Sequence, residues 1–178
     1  MLHHEAKREV EEAIFESALD FTILQTARMM HNIAPAWNNI TRSGMYVEPF
    51  SCDVPIADVD YDDVAEVAAL ALTRDGFGRA TFELCADGML NRHQRAALLG
   101  AVIGPRSKPD PARCDWLQKA GITDPYEQEA RARMFRYYDD FGLQGGNGFV
   151  LRSLLGLEPA TFQQFLERTV RRLNSANA

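Results

Sequence analysis

Between residues 5 and 17, Ala6, Val10, Ala13 and Ile14 recur at three- and four-residue intervals, with Ala18 just beyond. That spacing gathers them on one face of a helix. Asp20 ends the periodicity, and Phe21-Thr22-Ile23-Leu24 follows, a run too apolar for an edge strand. Such runs suit a parallel sheet covered on both faces. From Met29 to Ser43 the pattern dissolves around Asn32, Pro35, Asn38 and Asn39, which predicts an irregular stretch. Met45-Tyr46-Val47 and Val54-Pro55-Ile56-Ala57-Asp58-Val59 read as two short strands.

Asp62 or Asp63 is placed to cap a helix carrying Val64, Val67, Ala68, Ala71 and Leu72. Gly76 and Gly78 punctuate its end, and Ala80 to Cys85 reads as a further strand. Helix and strand alternate as in α/β proteins built on a parallel sheet. Later signals are helical. Asn91 and Gln94 form a capping-box pair for a helix ending near Gly104. The proline-rich stretch 104–111 predicts an exposed linker. Asp124-Pro125-Tyr126-Glu127 opens a helix presenting Ala130, Met134, Tyr137, Tyr138 and Phe141, stopped by Gly142. A short helix over 149–155 closes at Gly156. Thr161 and Gln164 cap a last helix, whose Arg168, Arg171 and Arg172 suit the dipole at its carboxyl end. The expected division is an α/β part over 1–103 and a helical subdomain over 104–178.

A chain of 178 residues suffices for one domain with a core. Its net charge of −6 is spread without a basic block, which argues against nucleic-acid binding. Cys52, Cys85 and Cys114 are widely spaced with no C-x-x-C pairing, as expected of reduced thiols in a cytoplasmic protein without a metal site. No apolar run approaches the roughly 20 residues of a membrane span. No secretory leader pattern is visible, so a cytoplasmic protein with no membrane partner is expected.

Two patterns invite chemistry that their context excludes. Asp58, Asp60, Asp62 and Asp63 crowd six positions, but a calcium loop needs a glycine at its sharp turn and a distant bidentate acid. Gly145-Gly146-Asn147-Gly148 follows a helix rather than a strand, so it reads as a flexible connection and not a phosphate loop.

Several segments, in order, resemble the NmrA-like branch of the atypical short-chain dehydrogenases/reductases. They are His3-His4-Glu5-Ala6-Lys7, Phe21 to Asn32, Val59-Asp60-Tyr61-Asp62-Asp63-Val64-Ala65, Tyr137 to Leu143 and Leu154 to Phe162. The resemblance runs from His3 to about Glu167. It implies the C-terminal part of a Rossmann-like parallel sheet plus a small, mostly helical, substrate-side subdomain. No G-x-x-G-x-x-G segment occurs, so the glycine-rich half that precedes these elements in the family is expected to be missing.

The resemblance also assigns roles. Lys7 matches the lysine of the family's Tyr-x-x-x-Lys helix, which holds the cofactor ribose, and His3 stands at the tyrosine, the proton donor. His3 and Lys7 are thus the catalytic candidates, and Lys7, Gln25 and Thr26 the cofactor-binding ones. Met30 and Asn32 are placed on the substrate side. By spacing alone His3 and Lys7 read sooner as exposed residues of a first helical turn, while Met30 reads equally as packing and Asn32 equally as a turn former. The implied cofactor is NAD(P)H, though without the glycine loop binding by this chain alone is in question. The implied function is an NAD(P)H-dependent oxidoreductase of unknown small-molecule substrate, or its substrate-side portion. The alternatives are a non-catalytic NAD(P)H sensor acting on a protein partner, which His3 favours, and an inactive truncated fragment. The strand at residues 21–25 would lack a neighbour, so a homo-oligomer formed through its open edge is expected.

Overall fold

The computed structural model describes residues 1–104, 108–109 and 121–176. Helix α1 (Leu2–Glu16) leads into strand β1 (Thr22–Thr26). β1 lies parallel to β5 (Ala80–Leu84), with Leu24 opposite Phe82 and Gln25 opposite Glu83. After Ala27, β2 (Arg28–Met29) turns to pair in parallel with β4 (Ile56–Val59), which places Arg28 opposite Asp58. Ala27 N donates to Leu84 O at 2.9 Å and Ala86 N to Asp58 O at 2.8 Å, linking the two ladders. β6 (Met89–Leu90) pairs antiparallel with β4. β3 (Met45–Tyr46) pairs in parallel with β7 (Lys108–Pro109). The rest of the expected linker, 105–107 and 110–111, lies outside the described residues, as does Cys114.

Strand alternation decides which face each side chain meets. Leu24 packs with Val59, Val67, Leu84 and Leu151 in one apolar cluster. On the opposite face of β1, Gln25 reaches α1, while Phe15 and Phe21 meet edge to face at 5.4 Å. A second cluster joins Met30, Ile33, Ile40, Tyr46, Ala96 and Leu99 to Phe162, Phe165 and Leu166 of the last helix (Phe162–Ala176). Burying a Leu such as Leu84, Leu99, Leu151 or Leu166 contributes about 1.5–3 kcal/mol.

The structure departs from the sequence pattern in four places. Residues Ala34–Ser43 form helix α2 where an irregular stretch is predicted. Pro35 lies in its first turn, where its fixed φ and missing N–H do no harm, and Ile40 anchors it in the core. Helix α3 (Tyr61–Thr73) is capped by Asp60, whose Oδ1 accepts from Asp62 N at 3.1 Å, and not by Asp62 or Asp63. Arg168 and Arg172 serve Asp60 and Asp62 instead of their own helix terminus. Gly142 to Gly148 is a packed strap and not a loose connection. Leu143 bridges Ile56, and a Cβ on Gly145 would stand 2.8 Å from the Ala57 Cβ, so only glycine allows that approach.

Other expectations match. Helix α4 (Arg92–Ile103) carries a complete capping box between Asn91 and Gln94. Asp124 caps the helix Pro125–Phe141, and Gly156 in the left-handed region ends Phe149–Leu155. Thr161 and Gln164 cap the last helix reciprocally. Among the described residues no helix is long and apolar enough to cross a membrane.

Candidate active site

The carboxyl end of the β1–β2 strand is where the chain concentrates buried charge. Arg28 is delivered by β2 and Asp58 by the neighbouring β4. Arg92 and Arg95 are three residues apart on α4, so both guanidinium groups project from one side of the helix toward the same interior. Glu48 and Phe50 come from the loop after β3, and Tyr46 from β3 itself. Asp58, Glu48, Arg92, Arg95 and Tyr46 are all buried.

Arg28 pairs with Glu48 and stands 3.6 Å from Asp58 Oδ1. Arg95 pairs with Asp58 and donates to Ile56 O at 3.1 Å and Leu90 O at 3.2 Å. Arg92 donates to Glu48 O at 3.0 Å and to Phe50 O. The Phe50 ring meets two cations, its centroid 5.9 Å from the Arg28 guanidinium carbon and 5.8 Å from that of Arg92. Its edge meets Tyr138 at 5.6 Å.

Burial works against the Arg28 charge, but Glu48, Tyr46 and Asp58 outweigh it and hold the guanidinium above its ordinary value. Burial lifts the Asp58 carboxyl despite the opposing Arg95 and Arg28. Tyr46 is raised by burial first and by the Glu48 charge second. Its hydroxyl makes no well-formed hydrogen bond, and neither does Nη1 of Arg28. Arg28 Nη1 faces Asp58 Oδ1 across 3.6 Å, and the Tyr46 hydroxyl lies beside Glu48 and Arg28, so these groups are partnered by charge with bonds longer or less well aligned than usual for buried atoms.

The residues expected to form the site are not brought to one place. Lys7 and Glu11 share a face of α1, and Glu11 accepts from Gln25 Nε2 at 2.9 Å. Thr26, one residue on, points to the opposite face of the strand and is exposed. Met30 is 1% exposed within the core, and Asn32 is exposed on the 3-10 turn Met30–Ile33. The His3 side chain lies outside the described residues. Arg28 sits inside the segment that singled out Gln25 to Asn32, yet an arginine between apolar residues carries no sign of burial. Arg92 and Arg95 read on paper as ordinary helix-surface cations. All four acids of the Asp58–Asp63 run have protein partners, Asp63 accepting from Ala160 N at 2.8 Å.

No protein-family model matches the sequence. It is 31% identical over 98 residues to a (4-alkanoyl-5-oxo-2,5-dihydrofuran-3-yl)methyl phosphate reductase of Streptomyces griseus, covering 55% of this chain and 34% of that protein. An NADPH-dependent quinone oxidoreductase from Escherichia coli superposes with a TM-score of 0.76 at 18% identity, over 93% of this chain and 61% of the other. A Citrobacter sp. triphenylmethane reductase complexed with NADP(H) gives 0.72 at 20% identity, over 89% and 56%. NmrA, a negative transcriptional regulator in complex with NADP, gives 0.65 at 15%, over 95% and 58%. The chain thus spans about a third of the curated relative and little more than half of these structures. Its α/β fold is the one these Rossmann-like reductases and NmrA share, as the resemblance implies.

Proposed function

We propose that the chain is the substrate-side part of an NmrA-like, NAD(P)H-dependent oxidoreductase acting on a small carbonyl or quinone-like molecule. The reading rests above all on the buried polar cluster of Arg28, Tyr46, Glu48 and Asp58 at the carboxyl end of the β1–β2 strand. Ligands of open α/β sheets bind at that end, and an arginine and a tyrosine hydroxyl there are donors of the kind that would hold the oxygen of such a substrate. Likeness to reductases over nearly the whole chain supports the reading.

The fit to the cofactor is partial. Lys7 is exposed on α1 beside the Glu11–Gln25 contact, whereas Thr26 is exposed on the opposite face of β1, so at most one of the two could meet a nicotinamide ribose. The sequence holds no glycine-rich loop for the pyrophosphate. When bound, the dinucleotide supplies the hydride; the chain's own residues orient the substrate oxygen.

The test is an NADPH titration of the 178-residue chain by nucleotide fluorescence, followed by NADPH consumption with a panel of quinones and carbonyls. Binding with turnover that falls in Arg28→Met supports the proposal. Turnover unchanged in Arg28→Met overturns the assigned site, and absence of both binding and turnover is the outcome for a substrate-side part that needs a nucleotide-binding part to act. Binding without turnover favours the second reading, a cofactor-sensing regulator, for which His3 at the tyrosine position speaks.

A further inference from the structure

We infer that Cys52, Asp53 and His93 form a binding site for a zinc-like divalent cation, separate from the buried arginine cluster. One ligand atom from each lies within 4.8 Å of the other two. The residues are forty positions apart along the chain, so no ligand spacing in the sequence reveals them.

Cys52 and Asp53 lie on the loop between β3 and β4, and three hydrogen bonds fix it. Ser51 N donates to Asp139 Oδ1 at 2.6 Å, Asp53 N to Ser51 Oγ at 3.3 Å, and Arg92 N to Cys52 O at 3.1 Å. The last bond lays the loop across the first turn of α4. His93 is the second residue of that helix, held by the Asn91–Gln94 capping box. The ligands therefore come from two rigid pieces already joined by a backbone hydrogen bond.

Zinc bonds of about 2.0–2.3 Å place neighbouring tetrahedral ligand atoms roughly 3.3–3.7 Å apart. His93 Nε2 and Asp53 Oδ1 stand at 3.1 Å, close to that separation without any movement. The Asp53 side chain is 80% and His93 50% exposed, which leaves them free to rotate the small remaining distance to the half-buried Cys52 sulfur. A thiolate, an imidazole and one carboxylate select zinc or cobalt over calcium or magnesium, which prefer all-oxygen sites. Three protein ligands leave the fourth tetrahedral position to solvent, as in open zinc sites.

Cobalt titration of the reduced full chain tests the assignment. We expect a one-to-one complex with a near-ultraviolet thiolate-to-cobalt band that zinc displaces. Cys52→Ser removes the band, His93→Gln weakens cobalt binding by about tenfold or more, and Cys85→Ser leaves it unchanged. As a measurement on the unaltered protein, zinc slows alkylation of Cys52 and not of Cys85. A cobalt spectrum lacking the thiolate band, a band surviving Cys52→Ser, or Cys52 alkylation indifferent to zinc overturns the inference.

Discussion

The Asp58 carboxylate and the Arg95 guanidinium meet inside the protein, with their side chains 6% and 1% exposed. Neither charge has water to fall back on, and Asp58 is held above the ordinary carboxylate range by burial in spite of the arginines. Removing one partner leaves the other charge uncompensated, so Asp58→Leu is expected to cost about 3–5 kcal/mol. Replacing the pair together, Asp58→Leu with Arg95→Met, should recover most of that loss, since Arg28 keeps Glu48. Urea unfolding of the two single variants and the double variant checks it. A double variant as unstable as the worse single one contradicts the pairing.

Tyr46 carries a pH signature. Its folded-state pKa is raised by burial and by Glu48, whereas the unfolded phenol titrates near ~10. The stabilising contribution is complete below that unfolded value. As pH rises above it the unfolded state loses its proton first, so stability is lost until the folded group also titrates. Tyr46→Phe should reduce the alkaline slope of unfolding free energy by about 1.4 kcal/mol per pH unit above pH ~10. At pH ~7 it should change stability by no more than about 1 kcal/mol, because the hydroxyl makes no well-formed hydrogen bond. Parallel alkaline slopes in the two proteins would falsify the placement of Tyr46.

Gly142 ends the Pro125–Phe141 helix with φ 68° and ψ −160°, a region that side chains other than hydrogen avoid. A Cβ there would also run into the Pro55 carbonyl oxygen. Gly142→Ala is expected to lose about 3 kcal/mol or more, because backbone strain and this clash add. Gly76→Ala is the control; it also lies at positive φ, but nothing stands within 4 Å of its added carbon. It should cost about 1–2 kcal/mol. Thermal unfolding of both variants decides the order.

Among the described residues β1 is paired on one edge only, with β5. Beside it an open groove of about 460 Å³ runs between Phe21, Leu24, Ala68, Ala71 and Leu72. Leu72 is 87% exposed, and Val10, Phe15 and Leu19 are exposed on or just beyond α1. We expect the chain to self-associate across this edge and face, since an unpaired strand beside apolar surface favours pairing. Leu72→Asp should shift sedimentation toward monomer without lowering stability. A stable monomer of the unaltered chain at micromolar concentration rules the association out.

Local chemistry carried much of the fold in the order of the residues alone. The Asn91–Gln94 box, Pro125 after Asp124, Gly142, Gly156 and the Thr161–Gln164 pair place helix ends where the structure has them, because caps act within four residues of themselves. The strands at 56–59 and 80–84 were legible as short runs bounded by turn residues, and the likeness to NmrA-like reductases lay in the order of the segments. Helix α2 was hidden because asparagines and a proline disfavour a helix locally, while the burial of Ile40 that stabilises it is a tertiary contact. Tertiary structure alone decided that Asp60 caps α3, that Gly142 to Gly148 packs as a strap, and that Arg28, Arg92 and Arg95 are interior. It also decided that Cys52 and Asp53 meet His93. A charged side chain carries no mark of burial in a sequence; pairing across distant elements is what makes burial of its charge tolerable.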